Sequence, residues 1–311
     1  MSAAMALRLA TFNLKDFFSA RREQENAAVE AKLSNVAASL RRAAADLVAL
    51  QEVGSVELLD RLVRSLPELG YEPPVIGAPD RRGIRNVILS RHPILWSQVH
   101  EAKALPFPVF VEGDPEPFGE RIPLRRAIVH VRVEVGALGE VDVLTAHFKS
   151  NLPVEMKRTD GTPIRDATPH DVGASAVRSL VQRAAEALFL RGLVDGVFAQ
   201  SPDHAICVMG DLNDTPDSMP VRLVRGIDTT SKHHLRAAAD ATPEEQRFSC
   251  YHGGGPALID HVLLSERLHR ALRGFEIHNE ALRYHGPHID DTPLGEDSDH
   301  ALAVAELDDA G

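Results

Sequence analysis

Only two cysteines, Cys207 and Cys250, occur in 311 residues, which excludes a disulfide-stapled fold. Cys207 lies inside an apolar run and reads as a small buried hydrophobe. Aromatic residues are scarce at 5%, leaving few platforms on which nucleic-acid bases could stack. Positive charge is in deficit: 34 Lys and Arg against 45 Asp and Glu give a formal net charge of −11. That balance excludes tight, sequence-blind binding to nucleic acid by bulk charge, though not a local basic rim around an acidic site. No apolar run approaches the ~18 residues of a membrane span. The segment from Met1 to Arg8 has no basic stretch followed by a long apolar one, so no signal peptide is visible and a cytoplasmic location is expected. No internal repeat or low-complexity linker divides the chain, and no glycine-rich phosphate loop is found.

What is present is ordinary globular material, 44% hydrophobic and 25% charged, long enough for a sizeable core. Strand-like runs cover 7–14, 47–53, 87–90, 127–135, 141–147, 205–209, 259–264 and 301–307. Helical spacing marks Val29, Leu33, Val36 and Leu40, then Val56, Leu59, Val63 and Leu66. A third stripe, Val177, Val181, Ala184 and Leu188, runs through an Ala-rich segment. Between Val87 and His147 strands follow one another without a helix, which predicts antiparallel neighbours, with a hairpin at Gly136 and Gly139. The expected fold class is α+β, with mixed sheets and helices outside, in one domain over 1–311. Three inserted loops are expected: 105–123, which carries five prolines, 151–173, and 279–297. The last holds His285, His288, Asp290 and Asp291, which read better as a solvated loop than as metal ligands.

Polar chemistry collects where these strands end. The run Ile206–Met209 is followed by Gly210-Asp211-Leu212-Asn213-Asp214, two carboxylates and an amide at the C-terminal end of an apolar strand. Such ends face clefts, and acceptor-rich groups suit a hard cation. Other strands end in Asn13, in Gln51-Glu52, and in His147-Phe148-Lys149-Ser150. Asp260 sits in apolar context beside His261, and Ser298-Asp299-His300 precedes the last strand. Taken singly, Glu52 reads as a solvated strand end, Asp260 as a turn carboxylate and His300 as a core-edge histidine. Together they are the parts of a metal-assisted hydrolase. Asp214 reads as a cap for a helix beginning near Pro216, and His261, on the opposite strand face, as structural.

In this order these motifs resemble the endonuclease/exonuclease/phosphatase superfamily, of DNase I-like fold, from Thr11 to about Leu307. Arg85-Asn86-Val87-Ile88-Leu89-Ser90-Arg91-His92-Pro93 is similar to the superfamily's Leu-Ser-Arg-x-Pro segment. The His147-Phe148-Lys149-Ser150 version resembles a bacterial branch that includes secreted nucleases. The resemblance implies a four-layered α/β/β/α sandwich of two mixed sheets with the active site at one rim. It implies Mg²⁺ or Mn²⁺ on Glu52 with Asn13 and Asp299 close by. Asp211 would orient or deprotonate the attacking water, and would take a second metal if one is used. Asn213 would donate to a phosphate oxygen, and His300, held by Asp260, would be general base or phosphate contact. His147 would protonate the leaving oxygen or hydrogen-bond to the phosphate, and which imidazole is acid and which base stays open. Asn86, Lys149 and Arg178 are the expected substrate contacts. The expected activity is a nuclease cleaving DNA or RNA by in-line water attack. A phosphatase or phosphodiesterase on a small or lipid phosphoester is the alternative, and a binding protein that lost catalysis is the third reading.

Overall fold

The computed structural model describes residues 6–165, 168–252, 254–283 and 295–308. The cluster of His285, His288, Asp290 and Asp291 lies outside the described residues. Each of the eight strand-like runs falls on a strand, and the strands form two six-stranded sheets. The first is ordered Leu272–Ile277, Ala303–Asp308, Ala6–Phe17, Leu47–Val53, Arg85–Ser90, Val75–Ile76. The second is ordered Arg236–Ala237, Asp260–Leu264, Ala205–Asp211, Gly139–His147, Ile128–Val135, Ile94–His100. Each contains one parallel pair, Ala6–Phe17 with Leu47–Val53 and Gly139–His147 with Ala205–Asp211, among antiparallel neighbours. Both sheets are therefore mixed, and the hairpin at Gly136–Leu138 joins Val135 to Gly139 as the glycines predict.

Strand alternation separates three apolar layers. Leu7, Leu9, Leu47 and Ile88 from one sheet meet Val129, Val131, Val143, Cys207 and Met209 from the other between the sheets. The outer face of the first sheet, including Phe12, Leu14, Val48 and Leu50, is covered by α1 (Asn26–Ala43) and α2 (Val56–Arg64). The outer face of the second, including Leu144, Ile206 and Val208, is covered by α3 (Pro169–Gln200) and α4 (Met219–Arg225). The result is the four-layered DNase I-like sandwich. Two sizeable strands, Ile94–His100 and Leu272–Ile277, were not legible as apolar runs. Both are edge strands: Leu272–Ile277 exposes Arg273 and Glu276, and Ile94–His100 exposes Ser97 and Gln98 beside Leu95 and Trp96, so neither shows a continuous buried run.

Helix α3 departs from its sequence pattern. The stripe through Val177, Val181, Ala184 and Leu188 is not the buried face, and Val177 is 58% exposed. Its N-terminal half instead buries Ser175, Ser179, Gln182, Arg183 and Glu186, whose hydrogen bonds hold neighbouring loops. Ser179 Oγ donates to Leu152 O at 2.7 Å and Gln182 Nε2 to Pro123 O at 2.7 Å. These contacts place both inserts. The 105–123 loop docks on α3 through Leu105, Ile122 and Ala185. The second insert folds a short hairpin, Met156–Lys157 with Pro163–Ile164, and ends earlier than expected, because α3 starts at Pro169.

Candidate active site

The two sheets present their polar strand ends at one rim. Asp211 closes its strand with His147 beside it in register on one neighbour and Asp260 on the other. Gly210 makes this close approach possible. Its φ is +146°, and a Cβ there would stand 2.0 Å from the Ala146 carbonyl oxygen, so no other residue fits without moving a strand. On the first sheet, Asn13 pairs in register with Gln51. Register then shifts between Leu50 and Val53, and within that irregularity Glu52 adopts left-handed backbone, φ +59°. The shift re-aims the carboxylate toward the rim. Asn213 is left-handed too, φ +54°. Non-glycine residues in this region mark places where surrounding contacts impose an unfavourable backbone.

A buried strut ties the sheets together beneath these groups. Thr11 Oγ1 donates to Gln51 Oε1 at 3.2 Å, and Gln51 Nε2 donates to Thr145 Oγ1 at 3.1 Å. Above it, the side chains form a continuous chain of polar contacts. Glu52 Oε1 is 4.0 Å from His147 Nε2, which is 3.5 Å from Asp211 Oδ2. Asp211 Oδ2 accepts from Asn13 Nδ2 at 2.9 Å and lies 3.9 Å from His300 Nε2. His300 Nδ1 meets Asp260 Oδ2 at 2.8 Å, and its Nε2 is 3.8 Å from Asp299 Oδ1. Lys15 Nζ follows, 3.4 Å from Asp299 Oδ2. Asn13, Glu52, His147, Asp211, Asp260, Asp299 and His300, distant in sequence, are thus brought together.

Burial and charge divide the titratable groups. Burial, with Arg126 and His300 as nearby cations, pulls His147 well below the usual histidine range, which favours the neutral imidazole. Burial opposes the charge on His300 as well, but Asp260, Asp211 and Asp299 outweigh it and push its pKa up to about 10. Burial and the Asp260 carboxylate raise Asp211 to about 7. The two imidazoles beside Asp211 are therefore driven in opposite directions, His300 toward its cation and His147 toward its neutral form, while the carboxylate between them is driven toward protonation.

The donor set suits a hard divalent cation. Oxygen ligands of Asp211 and Asp260 and a nitrogen of His300 lie within 4.8 Å of one another. Asp260 Oδ1 is buried with no hydrogen-bond partner, an acceptor left over in a site dense with negative charge. His300 engages Asp260 through Nδ1, and carboxylate oxygens are the acceptors best suited to a hard cation.

Other expected residues are placed differently. One N–H of the Asn213 amide donates to Phe148 O at 3.1 Å. Asn86 is sealed from solvent and its amide braces Ala127 O at 2.8 Å. The Lys149 ammonium is bonded to Ser150 O, Ser150 Oγ and Leu152 O, and burial, with Arg125 and Arg183 nearby, lowers it to about 8. Arg178 donates to Val154 O and Ser175 Oγ, bracing the insert. Asp214 is not a helix cap. It pairs with Arg183 at 3.0 Å, while Ser218 caps α4. His261 is structural, bonded to Asp214 O at 2.8 Å.

Sequence reasoning missed two cations beside Glu52, Lys15 and Arg82, both of which retain exposure. Arg82 pairs with Asp16 at 2.5 Å, Arg85 Nη1 donates to Gly54 O and Gly83 O, and Arg21 lies over the Phe18 ring. For Lys15 the available signal was its position two residues after Asn13. A groove of about 710 Å³ lies at the opposite rim, lined by His204, Lys232, Arg270 and Arg273 among others. Its cations pair with Asp203, Glu266 and Asp308, and none of the groups above reaches it.

Residues 10–300 match the model of the Endonuclease/Exonuclease/phosphatase family. No curated protein sequence matches. Among solved structures, truncated Caenorhabditis elegans TDP2 superposes with a TM-score of 0.60 at 15% identity, covering 97% of each chain. An endonuclease/exonuclease/phosphatase from Bacteroides vulgatus gives 0.60 at 16% identity, covering 98% of this chain and 99% of its own. The 3' phosphatase NExo from Neisseria, bound to a product DNA hairpin, gives 0.56 at 16% identity over 97% and 99%. At these identities the likeness establishes the fold.

Proposed function

The chain belongs to the Endonuclease/Exonuclease/phosphatase family, and from that premise we propose that it is a Mg²⁺- or Mn²⁺-dependent nuclease cleaving DNA or RNA by in-line attack of water on phosphorus. The observation that carries the reading is the Asp211 carboxylate, held by Asn13 and flanked by the imidazoles of His147 and His300. Glu52, Asn13, Asp211 and Asp299 would hold the cation. When bound, it would polarise the phosphoryl group and offset charge as phosphorus becomes pentacoordinate.

The protein's own groups do the rest. Asp211 orients a water and takes its proton. The His300 imidazolium, fixed through Nδ1 by Asp260, directs Nε2–H toward the phosphate or the leaving oxygen. His147, neutral, hydrogen-bonds to a phosphate oxygen, and the second N–H of Asn213 supports the same charge. No covalent intermediate is needed. Neither cysteine is a nucleophile, since burial raises both thiols far above neutrality.

Nucleic acid is favoured over a small ester by Lys15, Arg82 and Arg85, partly or fully exposed cations on the segments adjoining Glu52 and suited to phosphates flanking the scissile one. The NExo complex with DNA agrees with this choice. A second reading, hydrolysis of an apolar phosphoester, draws on Phe110, 98% exposed, and Leu152, 59% exposed, on the two inserts. The purified protein should be assayed with Mg²⁺ and with Mn²⁺ on plasmid, single-stranded DNA, RNA, phosphomonoesters and lipid phosphodiesters. Turnover confined to small or lipid esters defeats the nuclease reading.

A further inference from the structure

The first strand is interrupted by an irregular turn between Asn13 and Phe17, where its register with Leu47–Val53 shifts. Lys15 and Asp16 both hold left-handed backbone, φ +49° and +50°, which L-residues disfavour. Three groups hold the turn. Asn13 Oδ1 accepts from Lys15 N–H and Glu52 Oε2 from Asp16 N–H, each at 2.9 Å. The ammonium of Lys32, a buried residue on α1, donates to the Lys15 carbonyl at 2.5 Å. Asn13 and Glu52 are also proposed cation ligands. The side chains that would hold the cation therefore fix the direction in which Lys15 leaves the backbone. It leaves toward the site, where Nζ meets Asp299 Oδ2 at 3.4 Å with 35% of the Lys15 side chain still exposed.

We propose that Lys15 is a substrate-phosphate ligand that competes with the divalent cation for Asp299. The inference rests on the metal-dependent reading above. An ammonium is a compact point charge with donors only, on a flexible stem. It can neutralise Asp299 or a phosphate oxygen by a side-chain rotation, with the backbone fixed by Asn13, Glu52 and Lys32. A divalent cation carries twice the charge and attracts the same carboxylate more strongly. With Asp299 engaged by the cation, the Lys15 ammonium would be left to meet a nonbridging phosphate oxygen at the same rim. Metal and substrate would then bind cooperatively through one lysine.

The test is calorimetric titration of Mn²⁺, then of inorganic phosphate in saturating Mn²⁺, into wild type, Lys15→Met and Lys15→Arg. Thermal melts establish that each is folded. Lys15→Met keeps the stem and removes the competitor, so Mn²⁺ should bind about two- to fivefold more tightly, the range expected for losing one partly exposed ion pair. Phosphate should bind several-fold more weakly, on the order of one lost charged contact. Lys15→Arg should keep phosphate binding near wild type without the gain in Mn²⁺ affinity. Unchanged or weakened Mn²⁺ binding in folded Lys15→Met, beside normal binding by wild type, overturns the inference alone. Unaltered phosphate binding removes its substrate half. A wild type that binds no Mn²⁺ overturns the metal-dependent reading itself.

Discussion

Replacing Asp260 by Asn tests the charge arrangement of the site with almost no change of shape. Asp260 is completely buried, and its Oδ2 holds His300 Nδ1 at 2.8 Å. An amide oxygen can still accept that hydrogen bond, but the negative charge is gone. At a charge separation of roughly 4 Å and an effective dielectric near 20, that charge contributes about 4 kcal/mol toward the His300 cation. Burial, which opposes protonation, would then act on His300 against Asp211 and Asp299 alone, and its pKa should fall toward or below the usual histidine range. If the transition state uses the imidazolium, the loss converts to about 10³-fold in kcat/KM. Asp211 should shift as well. Removing the repulsion from Asp260 lowers its raised pKa, so the acidic limb of the rate profile should move to lower pH. The assay is steady-state hydrolysis from pH 5 to 9 with Mg²⁺, alongside NMR titration of the His300 ring. A folded Asp260→Asn protein with kcat/KM within about threefold of wild type would refute the reasoning, whatever its ring titration.

Other outcomes follow from the same geometry. Gly210→Ala places a Cβ 2.0 Å from a strand carbonyl and should cost on the order of 3 kcal/mol, read as a lower midpoint in urea. Asp142, buried at the other end of its strand, holds His130 and His204, each at 2.5 Å, and Arg132 at 2.8 Å. Breaking this network with Asp142→Asn should cost about 3–5 kcal/mol near neutrality. Burial resists ionisation of Asp142, but these partners outweigh it and hold its pKa below the carboxylate range. Its contribution is therefore present above about pH 4 and lost as pH falls further, so the melting difference between the two proteins should close in acid. The raised Asp211 has the opposite sign. In chelator, Asp211→Asn should gain stability relative to wild type as pH rises from about 4 to about 7 and level off above it, and melts across that range check it.

Much of the site was legible because it depends on local grammar. An apolar run ending in Asn13, Glu52, His147 or Asp211 announces a polar strand end, and sheet formation alone brings such ends to one rim. The fold class followed from the same runs. Less legible was anything set by contacts distant in sequence. Lys15 finds Asp299 across most of the chain, and Asp214 finds Arg183 instead of capping a helix. Lys149 and Arg178 looked available for substrate, yet backbone carbonyls of the insert engage both. The face of α3 was misjudged for a physical reason. Its N-terminal half holds two loops through buried Ser, Gln, Arg and Glu side chains, so polarity points inward and the hydrophobic stripe marks the wrong side.

The most direct test of the central claim is nucleic-acid cleavage by wild type, Asp211→Ala and His300→Ala, each with Mg²⁺, with Mn²⁺ and with EDTA. Wild type should cleave only with a divalent cation, and both variants should retain their fold while losing about 10³-fold or more in rate. Near-normal rates in both variants, or cleavage that persists in EDTA, would contradict it.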